Sequence, residues 1–388
     1  MAGAELIRDL DDAVLREAGA LKWAATTPGV IPAWVAEMDF ALAEPVHAAV
    51  MAYASGGIFG YADPRGRDRV AAALAGFAQR QWGHAIDPGR VSLVGDVMDG
   101  LALTLRHLTP GGPVIIPTPV YPPFLILTRD LGREVRPVPL IRDGGGQLTF
   151  DVGALQEQAQ AGARTILLCQ PHNPVGRCYT AAELQQISEL ADDFGLHVIS
   201  DEIHAPLTLP GTAFMPYAAV ARAEAPVTTL ISATKSFNIP GLRCAQLISH
   251  RSSDHDLIQA LPPVLNHAMT TLGQAASIAA YTEGDAWLSA ARERFADNHR
   301  AFAGRLAADV SPVHIEVPEA TYLSWLDVRD LELPDPAALA LAHGVRVDDQ
   351  QARYGPGGDG RIRVNLATSP ERVQVIADRL IEAWKPRG

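Results

Sequence analysis

The chain has 388 residues and a formal net charge of −12, because 44 acidic residues outnumber 32 lysines and arginines. With 48% hydrophobic and 20% charged residues, it can bury a core, which excludes an intrinsically disordered chain. The acidic balance argues against non-specific binding to nucleic acid or to an anionic membrane, because both need a basic surface.

The three cysteines, Cys169, Cys178 and Cys244, have no CxxC spacing, so we expect neither a disulfide framework nor a bound metal. The first residues are acidic and amphipathic, and they lack the basic and apolar regions of a secretory signal. No stretch of about 18 apolar residues occurs, so we expect no membrane span. These features together predict a cytoplasmic protein.

Short apolar runs bounded by turn residues predict buried strands along the first two thirds of the chain. Helical patterns lie between several of them, for example over Val97–Leu108 and over Thr180–Phe194, where Thr180 and Glu183 form a capping-box pattern. This alternation predicts an α/β fold with a mainly parallel seven-stranded sheet. The predicted strands are Val91–Val94, Val114–Ile116, Glu134–Leu140, Thr165–Leu168, His197–Ser200, Thr228–Ile231 and Ala245–Ile248.

The last hundred residues differ in pattern, because a long helix over Ala286–Val310 is followed by short strands and two more helices. We therefore predict a large domain over residues 46–285 and a smaller α+β domain over residues 286–388. The first 45 residues contain little strand pattern, and we expect them to pack with the smaller domain.

Lys235 follows a predicted strand and lies in a segment rich in hydroxyl groups, with Ser232 and Thr234 beside it and Arg243 eight residues on. Hydroxyl groups and a guanidinium are suitable ligands for a phosphate. A lysine removed from water has a lowered pKa and can form a Schiff base with an aldehyde. The segment therefore suggests pyridoxal phosphate, although a surface lysine in a loop is the simpler interpretation of Lys235 alone.

Three other predicted strands end at residues that suit the same cofactor. Asp201 can keep the pyridine nitrogen protonated, and the side-chain amide of Asn173 can donate to the phenolate oxygen. The free N–H groups at the start of the helix after Val91–Val94 can bind phosphate. Taken singly, Asp201 could be a loop or cap residue and Asn173 a turn residue, whereas their order along the chain favours one shared site.

The sequence resembles the fold-type I pyridoxal-phosphate enzymes, and within them the MalY/PatB-like cystathionine β-lyase (C–S lyase) subfamily of the class I/II aminotransferase superfamily. The resemblance covers nearly the whole chain. It rests on the segments WVAEMDF (Trp34–Phe40), GIFGY (Gly57–Tyr61), PVYPPF (Pro119–Phe124), PHNPVGR (Pro171–Arg177), SDEIHAPL (Ser200–Leu207), SATKSFNIPGL (Ser232–Leu242), TYLSWLD (Thr321–Asp327) and RIRVNLA (Arg361–Ala367).

The resemblance implies a role for each matching residue. Lys235 would hold the cofactor and move the proton, while Asp201 would pair with the pyridine nitrogen and be oriented by His204. Arg363 would bind the substrate α-carboxylate. The other implied residues are Asn173 at the phenolate and at the substrate, Tyr121 stacked on the ring, Val97, Met98, Ser232, Thr234 and Arg243 at the phosphate, Trp34 and Asp39 at the substrate, and Tyr61 reaching the neighbouring active site of a homodimer.

The sequence departs from the family at two places. Ala24 stands where the family often has aspartate after Lys22 and Trp23, and Asp96 lies in the turn expected to bind phosphate, where a carboxylate would repel it unless it points away.

The resemblance implies α,β-elimination from an S-substituted L-cysteine, which gives a thiol, pyruvate and ammonia. Three alternatives stay open at this point. An aminotransferase would use the same lysine, aspartate, asparagine and arginine. A pyridoxal-phosphate-binding regulator of a transcription factor would keep the cofactor, and a specialised biosynthetic lyase or cyclase would differ only in its pocket loops.

Overall fold

The computed structural model describes residues 6–62, 64–262, 269–310, 313–348 and 351–385. Among the helices in these ranges, none combines the length and the apolar character that crossing a membrane requires. The helices are α1 Asp12–Glu17, α2 Leu21–Ala24, α3 Glu44–Ser55, α4 Pro64–Trp82, α5 Val97–His107, α6 Pro122–Asp130, α7 Val152–Gln160, α8 Ala181–Phe194, α9 Ala233–Ser236, α10 Ser252–Ala260, α11 Thr271–Glu283, α12 Asp285–Asp309, α13 Pro336–Ala342 and α14 Pro370–Trp384.

The strands form one large sheet and several small ones. The large sheet has seven strands in the order β2-β10-β9-β8-β7-β3-β4, and a three-stranded sheet has the order β11-β12-β14. The strands are β1 Ile31–Ala33, β2 Val91–Val94, β3 Val114–Thr118, β4 Val135–Pro139, β5 Ile141–Arg142, β6 Leu148–Thr149, β7 Thr165–Cys169, β8 His197–Asp201, β9 Val227–Ile231, β10 Ala245–Ser249, β11 His314–Ile315, β12 Leu323–Asp327, β13 Val345–Val347 and β14 Arg361–Asn365.

The predicted α/β fold and its seven-stranded sheet are confirmed, with strand ends shifted by one or two residues. Strand β10 is antiparallel to both of its neighbours, β2 and β9, and the other pairs are parallel. Six strands therefore point the same way. Their last residues meet at one edge, the carboxyl edge of the sheet, which is where ligands bind in open α/β sheets.

Helices cover both faces of the sheet. Residues of α5, α6 and α10 pack into the core on one face, and residues of α7 and α8 pack into the core on the other. The capping box predicted for α8 is present between Thr180 and Glu183, and Gly195 ends the helix in the left-handed conformation. In α5, a Cβ on Gly100 would lie 2.8 Å from a Leu230 methyl, so only glycine lets α5 approach β9 this closely.

A second core lies under the C-terminal elements. Residues of α12, α13 and α14 pack against β12, β13 and β14. Strand β1 pairs in parallel with β13, which joins the N-terminal segment to this part of the molecule. The backbone of Asp348, one residue beyond β13, also forms a bridge to Arg363 in β14. These pairings bring Ala33, Asp348 and Arg363 close together.

Candidate active site

A cavity of about 230 Å³ opens at the carboxyl edge of the large sheet. Its walls come from the ends of β2, β3, β7, β8 and β9, from the segment after β1, and from β14. Most of the residues predicted from sequence line this one cavity: Val97, Met98, Tyr121, Asn173, Asp201, His204, Thr234, Lys235 and Arg363.

Lys235 projects into the cavity from α9, the single helical turn that follows β9. Its ammonium donates a hydrogen bond to the Ala36 carbonyl oxygen at 3.0 Å. Removal from bulk water, assisted by the positive charge of Arg363, lowers the pKa of Lys235 to about 8. Near neutral pH this lysine therefore has a much larger free-amine fraction than an exposed lysine has.

Asp201 ends β8 and is buried beneath the cavity. Burial raises the pKa of its carboxyl to about 7, although the Ile203 N–H donates to Oδ1 at 3.0 Å and Lys235 lies nearby. His204 also lines the cavity, and burial lowers its pKa to about 3. Among the described contacts, His204 Nδ1 has no hydrogen-bond partner, and the orientation of Asp201 by His204 stays a prediction.

Asn173 lies in the turn after β7, and its position is fixed from two sides. Its backbone N–H donates to the Cys169 sulfur at 3.4 Å, and its Oδ1 accepts a hydrogen bond from Arg363 at 3.2 Å. Because Oδ1 is used by the guanidinium, the amide Nδ2 is the group that Asn173 can offer to a ligand in the cavity.

Arg363 is held by an ion pair that the sequence did not reveal. Its guanidinium donates to Asp348 Oδ2 at 2.5 Å and to the Trp34 carbonyl oxygen at 3.2 Å, and both ionic side chains are more than nine-tenths buried. The Tyr354 hydroxyl donates to the same Asp348 oxygen at 2.7 Å. Arg363 Nε is buried without a hydrogen-bond partner among the described residues, so the arginine keeps a donor for a further acceptor.

The start of α5 forms another wall of the cavity, through Val97 and Met98. Asp96 caps this helix, because its Oδ1 accepts a hydrogen bond from the Asp99 N–H at 2.8 Å. The N–H groups of the two residues between them carry the partial positive charge of a helix N-terminus. Thr234, the second residue of α9, also lines the cavity.

Two predicted phosphate ligands are placed differently. Ser232 does not line the cavity, because its hydroxyl donates to the Cys244 carbonyl oxygen at 2.7 Å and caps the lysine turn. Arg243 also lies outside the lining, and its guanidinium pairs with the two aspartates at the start of α5. Their contact with phosphate stays a prediction.

Trp34 and Asp39, predicted at the substrate, also have other partners. The Trp34 ring stacks 4.0 Å from the Arg346 guanidinium, and its indole N–H donates to the Lys22 carbonyl oxygen. Asp39 is buried in a 2.9 Å ion pair with Lys22 and accepts a hydrogen bond from the Trp23 indole. A buried carboxylate needs such partners. Neither side chain lines the cavity, where the neighbouring Val35 and Ala36 form the wall instead.

Tyr121 lines the cavity, and its ring packs edge-on against Phe124 with 5.5 Å between ring centres. Burial raises the pKa of its hydroxyl, so the ring is a neutral aromatic surface at physiological pH. Tyr61, by contrast, is fully exposed on a loop whose neighbours Ile58 and Phe59 are also exposed. Within one chain it does not reach the cavity described here.

Comparison with known proteins gives one family and close structural relatives. The family described as aminotransferase class I and II matches residues 24–380. The chain is 32% identical to Protein MalY of Escherichia coli (92% of each chain covered) and 30% identical to cystathionine beta-lyase of Corynebacterium glutamicum (93% of this chain and 95% of the other). Cystalysin from Treponema denticola, a structure with a pyridoxal 5′-phosphate cofactor, superimposes with a TM-score of 0.89 at 25% identity over 97% and 98% of the two chains.

Proposed function

The chain belongs to the aminotransferase class I and II family, and from this we propose that it is a pyridoxal-phosphate-dependent carbon–sulfur β-lyase. The reaction takes an S-substituted L-cysteine and water to a thiol, pyruvate and ammonia. Relatives named cystathionine beta-lyase support this choice within the family. The observation that carries the proposal is the low-pKa amine of Lys235, which shares one cavity with Asp201, Asn173 and Arg363.

The residues of the cavity fit pyridoxal phosphate. A free amine can bond to its aldehyde, a buried carboxylate can pair with its ring nitrogen, and an amide can donate to its phenolate oxygen. Tyr121 supplies an aromatic surface, and the start of α5 supplies N–H groups for the phosphate. When bound, the cofactor supplies an electron sink that stabilises negative charge at the substrate Cα.

We assign the proton transfers to Lys235. Its amine would remove the Cα proton, and a positioned base typically contributes about 10²–10⁴-fold to the rate. A lysine with a pKa of about 8 suits this task, because both protonation states are populated near neutral pH. The carbon–sulfur bond then breaks, and the departing sulfur leaves as the thiol once it has gained a proton.

Arg363 and Asn173 would bind the substrate α-carboxylate, with Arg363 as the cationic partner. Asp348 and Tyr354 would act as positioning residues, because their shared contact holds the guanidinium in one orientation. Such fixed geometry orients the Cα–H bond toward the base. Val35 and Ala36, which follow the Trp34 carbonyl that accepts from Arg363, also line the cavity.

We also propose a homodimer in the cytoplasm. The exposed loop with Ile58, Phe59 and Tyr61 is an apolar surface of the kind that protein partners cover. Cys169, Cys178 and Cys244 are all buried free thiols, which suits a reducing compartment. We also propose the division into residues 1–45, 46–285 and 286–388, which is supported by the core under the C-terminal elements and by the pairing of β1 with β13. Another core contains residues of all three parts and joins them.

Product analysis tests the proposed reaction. With cystathionine as substrate, we expect the purified holoenzyme to release thiol and pyruvate in equal amounts, because each elimination gives one of each. No keto acid is added, since elimination needs no amino acceptor. A thiol-specific reagent would measure the thiol, and coupling to lactate dehydrogenase would measure the pyruvate. S-Methylcysteine offers a smaller thiol in the same assay. Transfer of the amino group to an added keto acid, without release of thiol or pyruvate, would make the protein an aminotransferase.

Attachment of the cofactor should depend on pH through Lys235. Only the neutral amine attacks an aldehyde, and with a pKa of about 8 roughly a tenth of it is neutral at pH 7. We expect the rate of attachment, followed by the visible absorbance of the lysine-bound cofactor, to rise with pH and to level off above pH 8. Nα-acetyl-lysine provides the comparison amine. A protein whose rate keeps rising to pH 10, as the model amine does, would contradict the assignment.

A further inference from the structure

A carboxylate lines the cavity at the start of α5, where we expect the cofactor's phosphate to bind. Asp96 lines the cavity, and Asp99 lies one helical turn further along α5. The cap uses Asp96 Oδ1 for the Asp99 N–H at 2.8 Å, so one oxygen of the Asp96 carboxylate is held at the start of α5, while 38% of the side chain stays exposed to solvent. That cap also occupies one of the N–H groups that an anion would otherwise bind.

The nearest cation is already shared between these two carboxylates. Arg243 Nη2 lies 2.8 Å from Asp99 Oδ2 and 3.2 Å from Asp96 Oδ2. One guanidinium and two carboxylates give this cluster a formal charge of −1, although a phosphate ligand calls for positive charge. Both carboxylates contact the same Nη2, so a phosphate that bound this nitrogen would compete with two ion pairs.

We propose that Asp96, with Asp99, weakens the binding of the cofactor's phosphate and so makes cofactor loading depend on the concentration of free pyridoxal phosphate. The inference rests on the proposed cofactor site and goes beyond it, because it assigns opposing effects on phosphate binding to different groups at the start of α5. The α5 N–H groups attract the phosphate, the Asp96 carboxylate repels it, and Asp99 competes for Arg243. Retention of the cofactor then falls mainly to its bond with Lys235.

Asp96→Asn is the variant that isolates this charge. Asparagine caps helices as well as aspartate does, so the start of α5 is retained while the repulsion is removed. We expect the dissociation constant for pyridoxal phosphate to fall about tenfold, the effect of one unit charge beside a doubly charged group in a water-like medium. Asp99→Asn, which removes a partner of Arg243 but lies outside the cavity lining, should lower it about threefold.

The measurement is a titration of cofactor-free full-length protein, with tryptophan fluorescence and visible absorbance as readouts. Pyridoxal, which lacks the phosphate, is the second probe, and its affinity should be the same in the wild type and both variants. Asp151→Asn is the matched control, because Asp151 caps α7 in the same way, with Oδ1 accepting from the Ala154 N–H, and does not line the cavity. It changes the net charge equally and should leave the dissociation constant unchanged.

An unchanged or larger dissociation constant in both Asp96→Asn and Asp99→Asn would overturn the inference, and so would an equal gain in affinity for pyridoxal. A gain in Asp151→Asn as well would show that net charge alone is responsible, which also overturns it. Failure of the proposed cofactor site looks different, because the wild-type protein would then not bind pyridoxal phosphate at any concentration. Failure of the proposed β-lyase reaction alone would appear in the product analysis and would leave these dissociation constants unaffected.

Discussion

Lys235→Ala is expected to abolish both turnover and covalent attachment of the cofactor. Alanine has no amine to bond to the aldehyde and no base to remove the Cα proton, so kcat should fall by at least about 10³-fold. Elimination is followed by pyruvate release. Attachment is followed by borohydride reduction and peptide mapping, which marks the lysine that carries the pyridoxyl group.

The composition of the chain makes this mapping unusually clear, because the sequence contains only three lysines, Lys22, Lys235 and Lys385. Lys22 is buried in its ion pair with Asp39, and Lys385 is half-exposed at the end of α14. Lys385→Ala is therefore the matched control, and it should keep full activity and the reduced adduct at residue 235. An adduct that persists in Lys235→Ala, with turnover intact, would assign the chemistry to another amine.

The position of the site could be predicted because its main residues follow consecutive strands. In a mainly parallel sheet, strand ends meet at one edge whatever the lengths of the connecting helices. Asn173, Asp201 and Lys235 each lie within four residues of a strand end, so recognising the strands was sufficient to bring them together. The strands themselves were recognisable because their apolar runs are continuous and are bounded by turn residues.

The contacts that depend on side-chain direction could not be predicted. Asp348 meets Arg363 only because β13 and β14 come together, and no local pattern marks an aspartate fifteen residues away as its partner. Trp34 lies in the correct segment, but its carbonyl faces Arg363 while its ring turns to Arg346. Arg243 has the expected spacing from Lys235, yet two carboxylates that are distant in sequence determine its direction.

Asp201→Asn tests the ring-nitrogen partner and is expected to lower kcat about 10²–10³-fold, the usual cost of removing one preorganised electrostatic group. Asparagine keeps the acceptor for the Ile203 N–H but cannot carry the negative charge that keeps the ring nitrogen protonated. Steady-state kinetics would show the loss in kcat. The deuterium isotope effect with Cα-deuterated substrate should increase, because proton removal becomes slower.

The thermal stability of the cofactor-free protein distinguishes this catalytic role of Asp201 from a purely structural one. Burial raises its pKa to about 7, from 3.8, so the ionised carboxylate costs folding free energy in the cofactor-free protein between these pH values and above. Asp201→Asn removes that cost, and the cofactor-free variant should melt at the same or a higher temperature than the wild type at pH 8.

Glu202→Gln is the matched control, because Glu202 is the next residue in sequence and is also buried, but it does not line the cavity. Burial raises the pKa of Glu202 to about 8, so its carboxyl is mostly protonated at pH 7 and glutamine is a close replacement. Its kcat at pH 7 should be unchanged. Equal losses of activity in both variants, or a lower melting temperature with normal kcat in Asp201→Asn, would mean that Asp201 only caps the end of β8.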